Sequence, residues 1–100
     1  MRSLIEELLY ISKERVRAEF ITGYKSIESV YSFVLGYGAA ARRAKFDDQR
    51  FKAFCQWLMK RGDFPNNGWA EKLLADCKGD SKAAVDVFLD RVEKFVEEGG

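Results

Sequence analysis

The sequence predicts an all-α protein, one domain over residues 1–100 built as a compact bundle of about five helices. Apolar residues recur at spacings of three and four along most of the chain, and no segment shows the period of two that marks a half-buried strand. Helix start and stop signals bracket those periodic runs, with Ser or Asp before them and Gly or clustered Lys/Arg after them. The single proline, Pro65, lies in a turn-rich stretch, so it interrupts none of them.

The first helix is expected from Ser3 to about Phe20. Ser3 and Glu6 have capping-box spacing, and Leu4, Ile5, Leu8, Leu9 and Ile11 form the stripe, which Val16 and Phe20 would extend. Gly23 supplies a stop, with the break near Ile21 to Lys25. Ser26 can cap a second helix to about Lys45, in which Ile27, Val30, Tyr31, Val34, Tyr37, Gly38 and Ala41 share a face. Phe33 and Leu35 flank that face, so the helix is apolar over most of its circumference and is expected at the centre of the bundle. Gly36 and Gly38 each cost about 1 kcal/mol against alanine inside a helix, which predicts close approach of a neighbouring helix. Arg42, Arg43 and Lys45 suit the negative end of the helix dipole.

Asp47 or Asp48 opens a third helix carrying Phe51, Phe54, Cys55, Leu58 and Met59, closed by Lys60, Arg61 and Gly62. Residues 63–68 read as a loop. A short fourth helix from Trp69 to about Lys78 gathers Trp69, Leu73, Leu74 and Cys77, with Gly79 as its stop. Asp80 or Ser81 caps the last helix, which runs to about Glu98 and buries Val85, Phe88, Leu89, Val92, Phe95 and Val96. Gly99 and Gly100 read as a frayed end.

Composition points to binding rather than catalysis. The chain has no histidine, the side chain most used as a general acid or base near neutral pH, and no serine or cysteine lies in a nucleophile motif. No enzyme activity and no cofactor are expected. Cys55 and Cys77 alone cannot complete a zinc site of the usual Cys/His kinds and read as small core residues. Gly36-Tyr37-Gly38 lacks the preceding strand that a phosphate loop needs. Seventeen Lys/Arg against 16 Asp/Glu give a net charge of +1, far from the balance of a dedicated nucleic-acid binder. No apolar run approaches the ~20 residues that cross a bilayer, and acids interrupt the N-terminal segment, so a cytoplasmic protein is expected; the sequence leaves the oligomeric state open, with a monomer favoured.

Charge is nevertheless uneven: residues 1–45 hold eight Lys/Arg and five Asp/Glu, residues 46–100 nine and eleven. On the last helix Asp86, Asp90, Glu93 and Glu97 are spaced four, three and four, which places four carboxylates on one face. Like charges so spaced repel by a few tenths of a kcal/mol per pair. A basic protein partner would account for the arrangement, and these four residues are the candidate binding site. The alternative is an ordinary solvated face relieved by Lys82 and Lys94. A looser basic group, Arg42, Arg43, Lys45, Lys52, Lys60 and Arg61, lies near Trp57 and could grip a single-stranded nucleic acid, although helix-end compensation explains it with less. Trp57 itself reads as a second-layer core residue.

Five segments taken in order carry a family likeness: Phe20-Ile21-Thr22-Gly23-Tyr24-Lys25-Ser26-Ile27, Phe33-Val34-Leu35-Gly36-Tyr37, Phe54-Cys55-Gln56-Trp57-Leu58, Trp69 and Val87-Phe88-Leu89. Together they resemble the small helical immunity proteins of bacterial toxin–immunity systems, including those of contact-dependent growth inhibition. The chain departs from that pattern at Arg17-Ala18-Glu19, where an Arg-Pro would stand, and in its near-neutral charge. The resemblance implies a protein that binds a cognate toxin C-terminal domain one to one and covers its active site, the toxin being most often a nuclease. It implies no binding residues, because the matched positions are mostly scaffold. A helical adaptor or regulatory module without a toxin is the alternative role.

Overall fold

In the computed structural model residues 1–14, 26–62, 64 and 68–100 are described. They form five helices and no strand: α1 (Leu4–Lys13), α2 (Ile27–Arg43), α3 (Gln49–Lys60), α4 (Trp69–Asp76) and α5 (Ser81–Glu97). The Cα radius of gyration, 12.8 Å, matches the ~13 Å of a packed 100-residue domain. The all-α bundle expected from the periodicity is what the chain adopts. No helix among the described residues is long and apolar enough to cross a membrane.

Local signals placed most helix starts. Ser3, Ser26, Asp48 and Asp80 occupy the caps of α1, α2, α3 and α5, each side chain accepting from a backbone N–H two or three residues on. Two of these starts are also capped from elsewhere in the fold. Asp48 accepts from Leu4 N at 2.7 Å and from Ser3 Oγ at 2.6 Å, so one carboxylate serves α1 and α3 together. Ser81 Oγ accepts from Ile27 N at 2.6 Å and donates to Glu28 Oε2 at 3.0 Å, joining the start of α5 to that of α2.

Helix ends differ from expectation in three places. α1 stops at Lys13, with Glu14 already off helical geometry; Val16, Phe20 and the turn at Gly23 lie outside the described residues. Lys45 takes φ 56° and closes α2, letting Phe46 N donate to Ala41 O at 2.9 Å, a left-handed position usually given to glycine. Gly99 and Gly100 are not a frayed end. Gly99 takes φ 97°, Gly100 N donates to Phe95 O at 3.0 Å, and Arg50 Nη2 donates to Gly100 O at 3.0 Å. That closure tethers the end of α5 to α3, and Gly100 lies so close to the Phe95 ring that a Cβ would meet it at 2.5 Å.

The core is a chain of rings. Trp69 stacks on Phe88 with centroids 4.2 Å apart and planes at 13°. Tyr31 lies 5.4 Å from Trp69, and Phe88 meets Phe54 edge-on at 6.0 Å. Phe54 and Trp57 both contact Phe95, at 5.3 and 5.7 Å. Rings from α2, α3, α4 and α5 therefore interlock, while Leu4, Ile5, Leu8 and Ile11 bring α1 onto the same core. Offset and edge-to-face contacts of this kind add to the apolar area that each ring removes from water.

The central helix is α5 rather than α2. α5 packs on α1, α2, α3 and α4, whereas α2 and α3 make no backbone contact with each other. Ala84, Phe88, Leu89 and Val92 of α5 are essentially sealed from solvent. On α2 only Ile27, Val30, Val34 and Ala41 are buried, and Leu35 keeps 56% of its surface exposed. Among the described residues no neighbouring helix approaches the α2 glycines: none of their atoms lies within 4 Å of a Cβ at Gly36, and at Gly38 the nearest such atom is Arg42 Nη1 at 3.7 Å.

Candidate functional site

The four acids singled out on the last helix all fall on α5, but not in one environment. Asp86, Asp90 and Glu97 are exposed, interleaved with exposed Lys82 and Lys94. Glu93 is half-buried and turned toward α1, where its Oε1 accepts from Ser12 Oγ at 2.5 Å. Ser12 is 4% exposed and is the buried polar residue of the described core, so the Glu93 carboxylate is one of the groups that satisfy it there. A residue every three or four positions stays on one face only to within the width of that face, and Glu93 sits at its inner edge. The outward carboxylates are those of Asp86, Asp90 and Glu97. They stand on the helix that packs against all four others, a support that keeps their Cα positions rigid.

The basic group near Trp57 is organised differently. Trp57 is half-buried, flanked by Phe54 and Phe95, and its Nε1 donates to Glu98 Oε1 at 3.1 Å. The Arg61 guanidinium lies 4.7 Å from the centroid of its ring. Trp57 is thus the second-layer core residue expected, with a cation already against its ring. Lys52 pairs with Asp47 at 2.5 Å, and that hydrogen bond, more than the one from Gln49, holds the exposed Asp47 carboxyl below its ordinary range.

The two cysteines are free thiols and half-buried rather than fully enclosed. Burial, reinforced by the nearby Asp48 charge, pushes the Cys55 thiol up to about 11, so it stays protonated and unreactive near neutral pH. Tyr37 was expected in the core but sits at its rim, its hydroxyl donating to the Arg2 carbonyl. Partial burial, then the charges of Glu7, Asp48 and Glu6, raise its phenol above the ordinary value. Among the described residues no three side chains of the His/Cys/Asp/Glu set converge where a metal ion could be held.

A feature that the sequence did not announce lies between α2 and α3. Because these helices do not pack on each other, an open groove of about 650 Å³ lies between them, lined by Val34, Leu35, Gly38, Ala41, Phe46 and Phe51 with charged groups beside them. The surplus of apolar residues around α2 was the available signal, since a helix apolar beyond its buried stripe must leave some of that surface uncovered.

Comparison with protein-family models, characterised proteins and solved structures finds no match to the chain.

Proposed function

We propose that this chain is an immunity protein that binds a bacterial toxin domain one to one and occludes its active site. The observation that carries the reading is the set of outward carboxylates, Asp86, Asp90 and Glu97, on the most firmly packed helix of the bundle. A fixed row of acids complements the basic cleft of a nuclease, speeds encounter, and loses little conformational freedom on binding. The chain's resemblance to helical immunity proteins supports the same role, and a producing cell's cytoplasm is where such a protein would meet its toxin.

The test is binding to the toxin domain encoded beside this chain's gene, for the parent and for Asp86→Lys/Asp90→Lys/Glu97→Lys. Glu93 is left intact because it holds Ser12. Affinity should fall more than about tenfold, mainly through slower association, with the parent's own association rate dropping as salt is raised. Undiminished affinity in a folded triple variant would remove α5 from the interface. Deletion of the gene separates immunity from the adaptor role: it should harm the cell only when the toxin is present.

A further inference from the structure

We propose that the groove between α2 and α3 docks an acidic, amphipathic helical segment of a protein partner, with apolar side chains on its floor and a carboxylate on Arg42. This surface is separate from the carboxylates of α5, and the proposal does not depend on the immunity role.

The floor is built from Val34, Leu35 and Ala41 of α2 and Phe51 of α3, with Phe46 from the connection between them. Leu35 is exposed although its helix belongs to the bundle, and a volume of about 650 Å³ is enough for several bulky side chains. A groove between two helices that do not pack on each other can receive the apolar face of a third, with anchors at helical spacing.

Charge decides what kind of helix fits. Four ionisable residues line the groove: Arg42, Asp47, Asp48 and Lys52. Asp47 and Lys52 are bound to each other at 2.5 Å. The Asp48 carboxylate faces two helix starts, accepting from Leu4 N of α1 and Phe51 N of α3, and the partial positive charge of each offsets it. Arg42 has no hydrogen-bond or ion-pair partner among the described residues. Gly38, one turn earlier and without a side chain, gives its guanidinium room to lie against α2 at the groove wall. Arg43 and Lys45, outside the groove lining, follow at the same helix end and offset the half negative charge of the α2 C-terminus, so that charge is not left to Arg42 alone. The groove is therefore apolar on its floor and positive at its rim, and its complement is a helix with apolar anchors and acids beside them.

The probe is a synthetic peptide of about 15 residues, long enough to hold a helix, with Leu at i, i+3 and i+7 and Glu on both flanks. Its comparator carries Lys in place of Glu. Amide chemical-shift titration should move the resonances of Val34, Leu35, Gly38, Arg42 and Phe51, and the Glu peptide should bind there at least about fivefold more tightly. Arg42→Glu should reverse the preference, and Leu35→Asp, at an exposed position, should abolish binding of both peptides without unfolding the protein. Equal affinity of the two peptides, shifts confined to other surfaces, or no binding would overturn the proposal. So would movement of the same resonances on dilution of the protein alone, which would give the groove to a second copy of this chain.

Discussion

Replacing Asp48 by alanine should cost far more than the loss of a surface acid, because one carboxylate closes two helices. Toward α3 it accepts from Phe51 N at 3.1 Å, and loss of such a cap costs about 1 kcal/mol. Toward α1 it accepts from Leu4 N at 2.7 Å and from Ser3 Oγ at 2.6 Å. Hydrogen bonds to a charged group contribute about 1.5–3 kcal/mol, and the partial exposure of Asp48 argues for about 2 from this pair together. The expected loss is about 3 kcal/mol, or a fall in Tm of about 12–24 °C for a chain of this size. Asp48→Asn can keep an oxygen toward Phe51 but offers an amide N–H to the Leu4 N–H, so it should lose about half as much. Asp47→Ala, one residue away and exposed, should leave the unfolding midpoint nearly unchanged. Urea unfolding followed by circular dichroism compares the three. An Asp48→Ala protein no less stable than Asp47→Ala would refute the double cap.

Trp69→Ala should destabilise by about 3–5 kcal/mol, since it opens a cavity against Phe88 and Tyr31, while Tyr37→Ala at the rim should lose only about 1–2 kcal/mol; thermal unfolding distinguishes them. Glu93→Ala should cost about 1–2 kcal/mol by removing the hydrogen bond its carboxylate accepts from the buried Ser12 hydroxyl, and the double variant with Ser12→Ala should lose less than the sum of the two single losses in the same assay. Native alkylation of Cys55, measured in a Cys77→Ala background, should be slow at pH 8 and rise toward a midpoint near 11. Because the folded thiol lies above its ordinary value of 9.0, its contribution to stability is complete below pH 9 and is lost as pH rises from 9 to 11. The raised Tyr37 phenol adds to the alkaline loss. Unfolding midpoints taken across that range check the sign, and a protein more stable at pH 11 than at pH 8 would contradict it.

Helix type and most helix starts were legible in the sequence because they rest on local physics. A spacing of three and four and a Ser or Asp able to reach an N–H two or three residues on need nothing from the rest of the chain. The acids of α5 were legible for the same reason, as a pattern along one helix. Which of them faces out was not: Glu93 is turned inward by Ser12, 81 residues earlier in the chain.

The second helix shows where local reading stops. Its apolar circumference suggested the middle of the bundle, yet the middle belongs to α5, and part of the α2 surface lines a groove. Burial is a property of which helices meet, and the order of meeting depends on loop geometry and on the fit of Trp69, Phe88, Phe54 and Phe95 across three helices. Asp48 serving α1 as well as α3, Ser81 serving α2, and the Gly99–Gly100 closure held by Arg50 have the same origin. Each joins residues some 44 to 54 positions apart, a span over which only the packed chain brings donor and acceptor together. By itself the sequence determined the helices, their caps and the charge along each face; tertiary packing decided which face is surface, which helix is central, and where an apolar groove stays open.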